Sequence, residues 1–102
     1  MPRRRIDFAP GNYYHLYNRG ANRMSIFRND ENYAFALRLM KAYRPECDVT
    51  VVAYCLMPNH YHWLVRQEGE APAGLFAQRV FNAYSHAFNE VNDRSGTIFE
   101  DR

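Results

Sequence analysis

DVTVVAYCLMPNHYHWLVR, residues 48–66, reads as two strands folded back on each other. Residues 48–56 are a β-branched, apolar run with the composition of a central strand. Pro58 and Asn59 form a tight break, and HYHWLVR, residues 60–66, supplies the next strand. The pair is expected to be an antiparallel hairpin turning at MPN. Alternate side chains of a strand share a face, so His60 and His62 project together while Tyr61, Trp63 and Val65 point the other way.

Working outward, YYHLYN at 13–18 alternates and reads as a further strand with Tyr13, His15 and Tyr17 on one face. RGANRMSIFRN then reads as a loop. Asn29 or Asp30 caps the helix that follows, and Asp30 and Glu31 suit its positive end. Tyr33, Ala36, Leu37 and Met40 keep helical spacing to about Tyr43, and Pro45 is expected to stop the helix. A polar loop from Glu68 to Gly74 precedes a second helix from about Ala73 to Asn92, with Phe76, Val80, Ala83, Tyr84, Ala87 and Val91 on one face. A short strand at Thr97–Phe99 closes the chain. The order is that of an α+β domain, a ferredoxin-like antiparallel sheet with two helices packed on one face. Residues 1–102 are read as a single domain, because no repeat, low-complexity tract or linker divides them.

Composition narrows the function classes. The net charge of +2 permits nucleic acid without demanding it, and aromatics reach 16%, enough for a thick core or for faces that stack on bases. Lys41 is the only lysine among 13 basic residues, and arginine forks are the better partners for phosphate. Arg3, Arg4 and Arg5 form a basic arm that can lie along a phosphate backbone or remain a solvated tail. Cys47 and Cys55 are expected to be free thiols in a reducing cytosol. No apolar run approaches a membrane span and no signal core follows the arginines, so the expectation is a cytoplasmic protein.

Two imidazoles two residues apart on a strand can chelate one divalent ion, with Tyr61 and Trp63 anchoring the opposite face. HxH alone is a weak motif, and two half-buried polar residues on an open sheet face would look the same. His15 could join or flank such a site, or be a satisfied sheet histidine. A nucleophile is harder to find, since Cys55 sits in an apolar strand and Cys47 precedes one. Tyr84 lies on the second helix, and its neighbours by helical spacing are Val80, Phe81, Ala87 and Phe88. From spacing alone, core packing is the better reading of Tyr84.

Four blocks in order, YYHLYNRGANRMSIFRND, AYCLMPNHYHWLV, QRVFNAYSHAFN and RSGTIFEDR, resemble the HUH single-tyrosine transposases, the transposases of short insertion sequences and the REP-associated tyrosine transposases. AYCLMPNHYHWLV is the specific signature among them. The resemblance implies an enzyme that cuts and rejoins single-stranded DNA, commonly beside a hairpin, with Mg2+ or Mn2+ as cofactor. It implies His60 and His62 as metal ligands and Tyr84 as the nucleophile, forming a 5′-phosphotyrosine and a free 3′-OH. It implies a homodimer, in which the tyrosine helix of one subunit sometimes serves the histidines of the other.

Some relatives complete the metal site with a glutamine one turn after the tyrosine. Phe88 stands there in this chain, and Asn89 matches the form in the branch this chain resembles, as third ligand or phosphate contact. Arg19, Arg23 and Arg79 join Arg3, Arg4 and Arg5 as expected DNA contacts. The chain ends at Arg102 where many relatives continue, which a truncated or decayed copy would explain. Two other readings remain: a non-catalytic nucleic-acid-binding module derived from a transposase, stacking bases on Tyr13 and Tyr17, and a metal-dependent phosphodiesterase that uses water and leaves no protein–DNA linkage.

Overall fold

The computed structural model describes residues 8–100, so the arm of Arg3, Arg4 and Arg5 lies outside the described residues. Strand β1 spans Tyr13–Arg19, helix α1 Asp30–Cys47, strand β2 Val49–Met57, strand β3 His60–Gln67 and helix α2 Gly74–Val91. A single 3-10 turn at Ala21–Arg23 interrupts the loop after β1. The sheet is antiparallel with strand order β1-β3-β2. This is the expected α+β arrangement, with both helices on one face of the sheet.

Register explains which strand is central. β3 pairs along its whole length with β1, from Tyr13↔Arg66 to Arg19↔His60, and with β2, from Val49↔Gln67 to Met57↔His60. Its burial alternates residue by residue, with Tyr61, Trp63, Val65 and Gln67 buried. β2, expected to be central from its apolar run, is instead an edge strand. A register shift between Val51 and Ala53 leaves Val52 half exposed, as bulges on edge strands commonly do. The closing strand expected at Thr97–Phe99 is reduced to one bridge, Gly20↔Phe99.

Asn29 caps α1 by accepting from the amide of Asn32 at 3.0 Å. Pro45 does not end the helix. It sits in the last turn, where a missing amide costs one bond, and the helix ends at Cys47 because Asp48 takes a left-handed conformation, φ 52°. On α2 the buried residues are Phe76, Val80, Phe81, Tyr84 and Phe88. Val91, expected on that face, is exposed because the last turn runs past the core.

Aromatic rings from the sheet and α2 meet in the core. Phe81 stacks on Tyr61 with ring centroids 4.2 Å apart, and Phe76 meets Trp63 at 4.9 Å. These contacts put α2 against the Tyr61–Trp63 side of β3. His60, His62 and Leu64 alternate with those residues and face away from both helices. Gln67 is buried but satisfied: it accepts from the Ala73 amide at 2.8 Å and donates to the Gly69 carbonyl at 2.9 Å, shaping the entry to α2.

Candidate functional site

The site begins at the Pro58–Asn59 turn, which lets β3 start with its histidines on the open face. Loop 20–27 braces this turn. The amides of Ile26 and Phe27 both donate to the Pro58 carbonyl, at 2.7 and 3.1 Å, and the Gly20 amide donates to the Asn59 carbonyl at 2.8 Å. Gly20 lets the loop close on itself, because a Cβ there would lie 2.1 Å from the Met24 carbonyl oxygen.

His60 and His62 come together as their alternation requires, with ring centroids 5.1 Å apart and planes at 80°. Each has its Nδ1 engaged. His60 Nδ1 lies 2.8 Å from Asn59 Oδ1, and since that oxygen can only accept, Nδ1 carries the proton. His62 Nδ1 lies 2.9 Å from His15 Nε2. That leaves Nε2 of both rings as the nitrogen available to a ligand, the arrangement of metal-binding histidines held by a second partner. The donor chemistry therefore fits a divalent cation, and imidazole suits manganese better than magnesium, which prefers oxygen. Among the described residues no group of three or more His, Cys, Asp or Glu could hold a metal ion.

The same face carries aromatic side chains. Tyr17 is opposite His62 in register and stacks on it with centroids 5.9 Å apart, while remaining 64% exposed. Tyr13 is 60% exposed, with the Arg66 guanidinium 6.0 Å above its ring.

Tyr84 is not brought to the histidines. It is 1% exposed, packed among Phe27, Phe35, Phe81 and Phe88 on the helical side of the sheet. Its hydroxyl does not reach outward: it donates to the carbonyl of Ile26. Burial pushes its ionisation well above the ordinary phenol value, reinforced by Tyr33 and partly opposed by Arg28. Spacing on α2 pointed to this core position, and the structure realises it.

The other expected site residues are spread out. Asn89 uses both ends of its amide to close α2, donating to the Gly96 carbonyl at 2.8 Å and accepting from Arg94 at 2.6 Å. Arg19, opposite His60 in register, pairs with Glu100 at 2.9 Å. Arg23 is exposed on the turn just after β1. Arg79 is exposed on α2 and close enough to influence the Cys47 thiol, at the far end of the sheet from His60. Both cysteines are free. No helix among the described residues is long and apolar enough to cross a membrane. Asn59 and the bracing loop lie within the blocks that carry the resemblance, but nothing in their residue types pointed to the hydrogen bonds they make.

A family profile described as "Transposase IS200 like" matches residues 9–100. The chain belongs to the IS200-like transposase family. Among solved structures, this chain resembles a REP-associated tyrosine transposase bound to a REP hairpin, with a TM-score of 0.79 and 14% identity over 100% of this chain. It spans 59% of that protein's chain. A second likeness is to a candidate transposase of Deinococcus radiodurans R1, with a TM-score of 0.69 and 14% identity, covering 99% of this chain and 82% of that one. No curated protein matches the chain.

Proposed function

We propose that this transposase acts on single-stranded DNA across the open face of its sheet, at the His60–His62 pair, through a phosphotyrosine intermediate. The observation that carries the reading is the paired orientation of the two rings, each with Nδ1 tied and Nε2 left over. A divalent cation bound there would polarise the scissile phosphate and stabilise its developing charge. The chain's own groups orient the ligands, and Tyr13 and Tyr17 offer rings on which bases can stack. The DNA that suits this face is a single strand flanking a hairpin, in keeping with the hairpin bound by the similar structure.

In the chemical step, a tyrosine oxygen bonds to phosphorus as the bond from phosphorus to the 3′ oxygen breaks. The phenol proton is lost to solvent and the 3′ oxygen gains one, so the strand break is stored as a 5′-phosphotyrosine. In this reading the attacking tyrosine is one presented on the histidine face, and Tyr84 serves as scaffold. Its hydroxyl is buried, bonded to a backbone carbonyl, and on the opposite side of the sheet. Tyr17, in ring contact with His62, is the first to test.

The test is incubation with hairpin-bearing single-stranded oligonucleotides in Mn2+, followed by mass-spectrometric mapping of any covalently linked tyrosine. A linkage on the histidine face, whether on Tyr17 or on a tyrosine reaching that face from a second copy, supports the reading. A linkage on Tyr84 overturns the scaffold role. Binding without linkage favours the non-catalytic nucleic-acid-binding module, to which the exposed Tyr13 and Tyr17 rings also point.

A further inference from the structure

We propose that His15 is a positioning residue for His62, holding its ring in the tautomer that presents the Nε2 lone pair. This rests on the proposed metal role of His62 and adds what sets that ring's orientation. Register places Tyr17 opposite His62 and His15 opposite Leu64, so His15 is a diagonal neighbour of His62 on the open face. His15 Nε2 and His62 Nδ1 are 2.9 Å apart, and the ring centroids are 5.0 Å apart with planes 19° from parallel. Rings stacked face to face keep their atoms about 3.5 Å apart. The shorter nitrogen contact therefore belongs to two nearly coplanar imidazoles joined edge to edge by an N–H···N bond.

One nitrogen must donate and the other accept. With the proton on His62 Nδ1, the His15 Nε2 lone pair accepts it, and His62 Nε2 is left bare. This is the role Asn59 Oδ1 plays for His60 on the other ligand. The two orienting groups come from different places, one from the turn and one from the neighbouring strand, and they converge on rings 5.1 Å apart. His15 is thereby spoken for through Nε2 and is not a third ligand.

The test uses the full chain with His15→Ala and His15→Gln. Glutamine can put an acceptor oxygen near the position of Nε2. The His62 tautomer is read in metal-free protein at about pH 8 from ring nitrogen shifts by 15N NMR. Wild type and His15→Gln are expected to hold the proton on Nδ1, and His15→Ala to shift it towards Nε2. Manganese affinity by calorimetry should fall about tenfold in His15→Ala and return in large part in His15→Gln, the scale typical of lost orienting partners. His15 is exposed, so neither variant removes core packing. An unchanged His62 tautomer in His15→Ala overturns the proposal, as does unchanged manganese affinity in that variant when the wild type binds. If the wild type binds no manganese, the metal reading fails by itself, and the NMR comparison still decides the role of His15.

Discussion

The Tyr84 hydroxyl donates to the Ile26 carbonyl, and the Ile26 amide in turn donates to the Pro58 carbonyl. A helix on one side of the sheet thus braces the turn that presents His60 on the other. The connection spans 58 residues between Tyr84 and Ile26. It ties the tyrosine hydroxyl into the packing beneath the turn.

Tyr84→Phe keeps the ring among its aromatic neighbours and removes only the bond to Ile26. It should cost about 1–2 kcal/mol of stability, the scale for a buried acceptor that loses its donor. Urea unfolding measures that cost. The covalent DNA adduct should persist in this variant. A folded Tyr84→Phe protein that binds the oligonucleotide yet forms no adduct would return Tyr84 to the role of nucleophile.

Alkaline pH should destabilise the fold. Burial raises the ionisation of Tyr61 and Tyr84 above the ordinary value of 10.0. In the unfolded chain both phenols lose their protons from about pH 10, while the folded protein keeps them. The stabilisation is full below that pH and is lost as pH rises towards the folded-state values. Urea midpoints between about pH 9 and pH 11 should fall, and less steeply in Tyr84→Phe. Equal slopes in the two proteins would mean that Tyr84 does not contribute to the loss.

Much of the site's geometry is legible in the sequence. Alternation alone put His60 and His62 on one face and Tyr61 and Trp63 on the other, since a strand leaves no other choice. Helical spacing put Tyr84 beside Val80, Phe81 and Phe88, and all four are buried. The resemblance implies a catalytic role for Tyr84, whereas its side chain lies in the core, bonded to the Ile26 carbonyl. Strand order was harder: the apolar run of β2 suggested a centre, but centrality depends on which strand finds two partners. The His15–His62 bond also depends on that order, because it exists only where β1 lies beside β3. Pro45 has the look of a helix stop, yet a proline in a final turn removes little from a helix already ending.

The arginines should divide by location. Arg23 closes the turn after β1, its amide donating to the carbonyl of Gly20, whose own amide is bonded at the Asn59 turn. Arg79 is at the other end of the molecule. For single-stranded DNA each lost phosphate contact lowers the salt slope by about 0.7. Arg23→Gln should therefore flatten the dependence of affinity on salt, as should neutralising Arg3, Arg4 and Arg5 together, whereas Arg79→Gln should not. A flattened slope in Arg79→Gln alone would place the DNA along α2 and away from the histidine face.

Metal binding should depend on His60 and His62 directly and on Asn59 indirectly. The two histidines are on the open face, so His60→Ala and His62→Ala should keep the circular dichroism of the wild type while losing most manganese affinity. Asn59→Ala is the more informative change. It deletes the acceptor 2.8 Å from His60 Nδ1 but leaves the backbone carbonyl of residue 59, which holds the Gly20 amide. The turn should survive, and His60 should lose only the partner that sets its tautomer. Affinity should then fall about tenfold, between wild type and the ligand deletions. Calorimetric titration with Mn2+ orders the variants. If both histidine variants bound manganese like the wild type, the pair would be an ordinary polar patch on an open sheet. If Asn59→Ala alone bound normally, the ligands would stand and the claim that Asn59 orients His60 would fall.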